Sequence, residues 1–385
     1  MIDAILLGSG GTMPLDIRPL TSLYLHMDKH IVLVDCGEGT QVEARRLGIR
    51  ISKISVICLT HLHADHVLGL PGLLLTMGHE SRVRPLLIVG PVGIRKFIQK
   101  SMKKIGTLPF PLYYCELKDE FCSVDVGGVM IEAMLLKHDC PCYGYNFVFE
   151  RAGCFNRGKA EASGLPEFTW ELLQNKVTVC KDGREYTRFD LLGDDRSVKI
   201  SYVTDTACFD SLVEFIGGAN LAVLEGMYYD SSQVPADGRR VHMTMLEAAG
   251  IAREAGVGLL CLTHFSPVVP DILGPYHEVS KVFGKTIYGF GGLRLSISTD
   301  GSVTTDVRKP DVYVGMKLFR SILSGRRSYV TVDSGYYEIG DTIAVGCHWH
   351  GNVFTASGSV TDVTVRQQCK IVSFRLIMAG EEEEQ

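Results

Sequence analysis

The sequence predicts an α/β fold followed by a small β-rich module, and three observations predict it. Short apolar runs alternate with helix-like stretches up to residue 308, the pattern of strands interleaved with helices. Histidine or aspartate repeatedly follows the carboxyl end of such a run, where an α/β architecture places its chemistry. After Arg308-Lys309-Pro310 the chain turns rich in Val, Tyr, Thr and Gly, with the alternation of short strands, so residues 309–380 form a separate small domain.

The elements follow in order. Met1 to Gly8 reads as a first strand; it lacks the basic start and long apolar stretch of a signal peptide. Ile31 to Val34 is a strand, and the stretch to Arg46 a helix stopped by Gly48. Ile54 to Leu59 is a buried strand. Leu86 to Val89 is another, with a helix opening near Pro91, a residue suited to a first turn. Val129 to Lys137 and Tyr143 to Glu150 form a pair of strands. Lys199 to Val203 and Leu221 to Glu225 are short apolar strands separated by a helix. Met245 to Ala255 is helical, and Gly258 to Leu262 a further buried strand. Residues 151–198 break the alternation: Gly153, Gly158, Gly164, Pro166 and Gly183 interrupt short helical pieces, as expected of an insertion.

The chain has 385 residues, enough for two domains. Hydrophobic residues at 46% and charged residues at 22% are the composition of a soluble globular protein. No apolar run approaches the roughly 18 residues of a membrane span. The 12 cysteines are scattered without the paired spacing of a zinc ribbon, several inside apolar runs (Cys58, Cys261). Reduced thiols and a cytoplasmic location are the expectation. A net charge of −5 does not by itself favour nucleic acid, which meets a basic surface. Two local clusters leave such a contact open: Arg45, Arg46, Arg50 and Lys53, and then Lys96, Lys100, Lys103 and Lys104.

The chemistry concentrates in Thr60-His61-Leu62-His63-Ala64-Asp65-His66. A strand ending in His-x-His puts two imidazoles on one face, and the turn that follows carries Asp65 and His66 to a second point. Imidazole and carboxylate are ligands for small divalent transition metals. Burying three imidazoles and a carboxylate without a cation would be costly. The expectation is a metal centre, with two ions. His138, Asp205 and His264 each end an apolar strand and are of ligand type.

The pattern His-x-His-x-Asp-His resembles the signature of the metallo-β-lactamase superfamily. The longer match resembles the ribonuclease Z family, endonucleases that trim the 3′ side of tRNA precursors. It runs over roughly residues 1 to 300. Leu7-Gly8-Ser9-Gly10-Gly11-Thr12-Met13-Pro14 is similar to that family's first glycine loop. Asp35-Cys36-Gly37-Glu38-Gly39-Thr40-Gln41 matches its second motif, Thr60 to Gly72 its main metal loop, and Lys137-His138 with Tyr143-Gly144-Tyr145 a later one. The resemblance implies an αββα metallo-β-lactamase sandwich with the site at one rim. It makes residues 151–198 an arm that protrudes to hold the tRNA elbow, although the family's Gly-Pro-rich arm motif is replaced by Gly164-Leu165-Pro166-Glu167-Phe168-Thr169-Trp170. It places His61, His63 and His138 on one metal and Asp65, His66 and His264 on the other, with Asp205 bridging. Zinc suits this set first, and manganese fits the Asp-rich second site. Asp65 can accept a proton from the nucleophile or hold it in line while coordinating. His242, in Arg239-Arg240-Val241-His242-Met243-Thr244, becomes the acid for the leaving oxygen, paired with Glu225. After the last histidine the family reads Phe-Ser-x-Arg-Tyr; here the residues are Phe265-Ser266-Pro267-Val268-Val269. A homodimer in which each arm serves the other subunit is also implied.

Phe319-Arg320-Ser321-Ile322-Leu323-Ser324-Gly325-Arg326-Arg327, followed by Tyr337-Glu338-Ile339-Gly340-Asp341-Thr342, resembles small β-barrels of the ASCH type within the PUA-like group. That implies an RNA- or nucleotide-binding module with Arg326 and Arg327 facing the nucleic acid. Residues 381–385 read as an acidic tail. The function expected is a dinuclear-metal endoribonuclease acting on tRNA precursors. The alternatives are a hydrolase of the same fold acting on another small phosphodiester, a cyclic nucleotide or a thioester, and a non-catalytic RNA-binding protein that keeps the metal site as structure.

Overall fold

A computed structural model of the chain describes residues 2–15, 18–151, 155–175, 177–181, 183–191, 196–234, 241–267, 269, 276–298 and 300–305. It also describes, as backbone strands, residues 312–313, 329–332, 342–349, 352–366 and 369–383. The first part of the chain forms β1 (Ile2–Gly8), β2 (Ser22–Met27), β3 (His30–Val34), α1 (Thr40–Arg46), β4 (Val56–Cys58), α2 (Ala64–Val67), α3 (Leu70–His79), β5 (Leu86–Pro91), α4 (Ile94–Ile105) and β6 (Leu112–Leu117). Next come β7 (Phe121–Asp125), β8 (Val129–Leu135), β9 (Tyr143–Arg151), α5 (Arg157–Ala162), α6 (Glu167–Gln174), β10 (Val179–Lys181), β11 (Arg184–Tyr186) and β12 (Arg196–Val203). Then follow α7 (Ser211–Phe215), β13 (Leu221–Glu225), α8 (Met245–Glu254), β14 (Leu259–Thr263), α9 (Tyr276–Val282), β15 (Thr286–Tyr288), β16 (Arg294–Ile297) and β17 (Val303–Thr305).

Two mixed sheets result. One has eight strands in the order β17-β16-β1-β2-β3-β4-β5-β6, the other seven in the order β15-β14-β13-β12-β9-β8-β7. Neighbours from β3 to β6 are parallel, as are those from β12 to β15. Period-two alternation divides each strand between two cores. Ile2, Ala4 and Leu6 of β1 point between the sheets, where they meet Tyr145 and Phe147 of β9 and Ile200 and Tyr202 of β12. Ile5 and Leu7 point the other way, into a core with Leu33, Ile57 and Ile88 under Leu70 and Leu74 of α3 and Ile94 and Ile98 of α4. In the second sheet Leu221 and Val223 face inward, and Ala222 and Leu224 pack under α7 and α8. Burial on both faces is why β3, β4, β5, β13 and β14 read as unbroken apolar runs. The layers are helix, sheet, sheet, helix, the αββα sandwich expected, and each fully buried Leu, Ile or Phe adds about 1.5–3 kcal/mol to it.

Several boundaries differ from those the sequence predicts. Pro91 does not open a helix. It closes β5, in register with Leu117 of β6, and α4 starts after Gly93, whose φ of 106° turns the chain. The run Ile54 to Leu59 is longer than its strand, because Ile54 and Leu59 are buried by packing on the helices and not by strand pairing alone. The proposed insertion of 151–198 ends inside β12: Arg196 pairs with Arg151 at its base. Its described residues form a hairpin, β10 with β11, and a small core of Ala160, Leu165, Trp170, Leu173 and Leu191. The Trp170 indole donates to the Leu165 carbonyl at 3.1 Å, which satisfies its buried N–H.

The carboxyl-terminal part forms β18 (Val312–Tyr313), β19 (Tyr329–Val332), β20 (Thr342–Trp349), β21 (Asn352–Arg366) and β22 (Cys369–Glu383), one sheet in the order β18-β20-β21-β22-β19. β22 runs through Glu381 to Glu383, which pair with Phe354 to Asn352, so this acidic run extends a strand where the sequence reads as a tail. Arg326 and Arg327 lie outside the described residues. Among the described residues no helix is long and apolar enough to cross a membrane.

Candidate metal centre

The parallel strands of both sheets end at one rim. Asp35 follows β3, His61 and His63 follow β4, Asp205 follows β12, Glu225 ends β13 and His264 follows β14; His138 comes in from β8. His61 and His63 are not strand residues. Leu59 N–H donates to Val89 O of β5, but the next donor, Thr60 N–H, goes to the Asp35 carboxylate at 2.9 Å. The chain therefore leaves the sheet, and His63 takes the extended N-cap position of α2. Asp35, Asp205 and His264 all have left-handed backbone, with φ of 58°, 56° and 55°. Non-glycine residues adopt that region at a cost of about 1 kcal/mol or more, and such residues cluster at functional sites.

Two donor groups form. The ligand atoms of His61, His63, His138 and Cys140 all lie within 4.8 Å of one another, with His138 Nε2 3.3 Å from His63 Nδ1. In the second group, the Nε2 atoms of His66 and His264 are 3.2 Å apart. Asp65 Oδ2 lies 3.5 Å from the first and 3.6 Å from the second. Asp205 Oδ2 is 3.2 Å from His66 Nε2 and 3.3 Å from His264 Nε2, and Asp205 also groups with His61. It stands between the two sets. His61 Nε2 and Asp205 Oδ2 are buried without a hydrogen bond among the described residues. Buried polar atoms are rarely left so, and a divalent cation satisfies both. The imidazole and carboxylate donors fit zinc chemistry.

A second layer aims these rings. His66 Nδ1 is 2.8 Å from Asp35 Oδ2, His61 Nδ1 is 3.0 Å from Thr60 Oγ, and His138 Nδ1 is 3.2 Å from the Val241 carbonyl. In each ring Nδ1 is taken and Nε2 is left for the centre, the arrangement that fixes a metal-binding tautomer. Asp35 is itself held by the Thr60 hydroxyl at 3.0 Å and by the Tyr202 hydroxyl at 3.2 Å. The sequence reading names Asp35 only as part of a motif. Its position after the run Ile31 to Val34 is the signal that could have identified its role. Asp35→Ala is expected to weaken zinc binding about 10- to 100-fold, measured by competition with a chromophoric chelator. Unchanged affinity would make Asp35 a packing residue.

The first glycine loop backs the other side. Thr12 N–H donates to Asp65 Oδ2 at 2.7 Å. A methyl added at Gly11 would come within 2.8 Å of the His264 ring, so only glycine lets that ring sit there. At Gly69 a methyl would meet Gly37 O at 1.9 Å, which shows how closely the Asp35 loop packs on the junction of α2 and α3.

The charges are those of a site prepared for cations. Burial pushes the His61 imidazole down to about 2, with His66 adding to the effect, so this ring is neutral and free to ligate. For His264 burial works downward, but Asp205, Asp65 and Glu225 outweigh it and raise the ring to about 10. His66 is raised in the same way, by Asp205 and Asp35 against burial. Burial would raise Asp65 and Asp205; His264 and His66 overcome it and hold both carboxyls below the usual carboxylate range. A divalent cation held here would be met by ionised carboxylates, and His66 and His264 would ligate it in their neutral form.

Beside the two groups, His242 Nδ1 lies 2.9 Å from Glu225 Oε2. Glu225 is buried and also accepts from Thr206 N–H at 2.7 Å and Met243 N–H at 3.1 Å. The His242 ring stacks 5.8 Å from that of His264 and stands 5.3 Å from that of His138. Its position is set by the start of α8, where Thr244 and Glu247 form a reciprocal capping box. Burial lowers His242, and Glu225 more than offsets this and raises it. The structure thus brings together all nine described residues expected at the site and adds Asp35, Thr60, Asp139 and Cys140.

A family model described as a beta-lactamase superfamily domain matches residues 188–265. Another, described as anti-Pycsar protein Apyc1, matches residues 3–106. A curated ribonuclease Z from Agathobacter rectalis is 41% identical over 290 residues, covering 75% of this chain and 96% of the relative. The chain belongs to the ribonuclease Z family. A second member of the ribonuclease Z family, from Clostridium beijerinckii, is 37% identical over 304 residues, covering 77% of this chain and 99% of its own length. The crystal structure of the short form of human tRNase Z superposes with a TM-score of 0.55 at 24% identity, over 77% of this chain and 99% of that one. That likeness concerns the fold, and it agrees with the metallo-β-lactamase sandwich described above.

Proposed function

We propose that this chain is a dinuclear-metal endoribonuclease that processes the 3′ ends of tRNA precursors. The observation that carries the reading is the pair of donor groups sharing Asp205, with the His242–Glu225 pair on the same rim. His61, His63 and His138 would hold one ion and Asp65, His66 and His264 the other, with Asp205 between them. Zinc suits the set first, and manganese fits the carboxylate-richer second position. Two such ions, when bound, lower the pKa of a water and neutralise charge building on the phosphate.

The protein's own groups supply the proton traffic. Asp65, ionised and held by Thr12 N–H, accepts a proton from the attacking water. His242 keeps a proton because Glu225 stabilises the imidazolium. With Nδ1 on Glu225, Nε2 is the atom that delivers a proton to the leaving 3′ oxygen. Asp65, His242 and Glu225 are therefore the catalytic set, the last acting through His242. The reading extends to the domains: a hydrolase domain over 1–308 with the arm at 151–198, and an ASCH/PUA-like barrel over 309–380 whose Arg326 and Arg327 meet RNA. It also includes a homodimer in which each arm serves the partner's site, and a cytoplasmic location. The self-contained core of the insertion, with Phe168 72% exposed, supports a limb that folds locally and offers a surface to a large substrate.

The test is cleavage of a 3′-extended tRNA precursor beside bis(p-nitrophenyl) phosphate, after chelation and then zinc or manganese add-back. Metal-dependent cutting near the discriminator base is expected. Turnover of the small ester alone would overturn the tRNA reading and point to another phosphodiester. Deleting residues 155–190 is expected to spare the small ester and abolish precursor cleavage. Equal loss on both would make the arm structural.

A further inference from the structure

We propose that Cys140 is a further donor to the first ion position, adding a thiolate to its three imidazoles and the shared Asp205, a set that selects zinc over manganese. This rests on the dinuclear reading above. Cys140 lies two residues beyond His138, on the loop joining β8 and β9. That loop is closed by Leu136 N–H donating to Cys142 O at 2.8 Å, which holds Cys140 over the site. Its sulfur lies with the ligand atoms of His61, His63 and His138, all within 4.8 Å of one another. His61 points to a ligand independently: its Nδ1 is engaged by Thr60, while its buried Nε2 makes no hydrogen bond among the described residues.

Asp139 is the competing donor. Its carboxylate reaches His138 Nε2 at 3.1 Å and His63 Nε2 at 3.5 Å, but the side chain is 52% exposed. Water already solvates that oxygen, so it gains less from an ion than the more enclosed thiol does. The two positions then differ in softness. Beyond the shared Asp205, the first carries nitrogen and sulfur, the donors of zinc sites; the second has two imidazoles with Asp65, donors that also accept harder ions. Sulfur binds as thiolate, its proton leaving to solvent as the ion arrives.

The experiment uses the full chain stripped of metal and titrated with cobalt(II), followed by absorption. Ligand-field bands report filling of the site, and a sulfur-to-cobalt charge-transfer band reports the thiolate. In the wild type both are expected, and in Cys140→Ser the ligand-field bands remain while the charge-transfer band disappears. The same variant is expected to lose about tenfold or more in zinc affinity, with manganese affinity unchanged. Ligand-field bands without charge transfer in the wild type overturn the proposal, as does a charge-transfer band that survives in the variant. No cobalt uptake at all overturns the dinuclear reading itself. Should the variant not fold, alkylation of the wild type with iodoacetamide decides the matter by peptide mass mapping. Zinc should protect Cys140 while exposed Cys180 still reacts; equal alkylation of Cys140 with and without zinc overturns the assignment.

Discussion

Asp205→Asn is expected to abolish hydrolysis of the tRNA precursor and of the small phosphodiester alike, by at least about a thousandfold in kcat/KM. The asparagine keeps the shape and tolerates the left-handed backbone that Asp205 adopts, φ 56°. What it removes is one negative charge from between the donor groups, where Asp205 Oδ2 is 3.2 Å from His66 and 3.3 Å from His264. Losing several kcal/mol of charge stabilisation corresponds to about three orders of magnitude in rate. The fold should survive, because the same substitution removes one of the carboxylates that favour protons on His66 and His264. Without Asp205 both rings lose protons more readily, and any proton that stays is still paired with Asp35 beside His66 or with Asp65 and Glu225 beside His264, so no uncompensated buried cation is left. Circular dichroism, metal content and kcat/KM together check this. Wild-type turnover with a full complement of metal would exclude a shared carboxylate.

His242→Ala is expected to separate the two substrates. On RNA the leaving 3′ oxygen needs a proton, and losing a general acid costs about 10²- to 10⁴-fold in kcat. On bis(p-nitrophenyl) phosphate the leaving p-nitrophenolate is stable as an anion, so the loss should be small. The sign of the pH dependence follows from the raised His242. The acid form acts, so activity on RNA persists above the ordinary histidine range and falls as pH rises through the raised value. In Glu225→Gln the carboxylate 2.9 Å from Nδ1 is gone, and the alkaline limb should move to lower pH. Equal losses on both substrates, or an unmoved limb, would show that His242 holds structure and does not transfer a proton.

The ligand residues could be read from the chain because each reports its own local setting. An apolar run followed by His or Asp is visible within a few residues, and period two predicts which neighbours share a face. Less visible were the ends of the strands. The histidines of the main loop were expected on a strand face, yet Thr60 gives its N–H to Asp35 from 25 positions away, and the loop departs from the sheet there. Pro91 likewise suited a helix start by its own chemistry, and lost to pairing with β6.

The sequence by itself determined that this is an α/β chain whose strand ends carry a histidine- and aspartate-rich centre, since residue type and periodicity are local properties. The tertiary structure alone decided which loops share the rim. Thr12 reaches Asp65 across 53 positions and Asp35 reaches His66 across 31, Gly11 makes room for the ring of His264, and Cys140 comes to stand beside His61. No local pattern encodes these contacts, because they exist only after two sheets have packed and brought their strand ends to one edge.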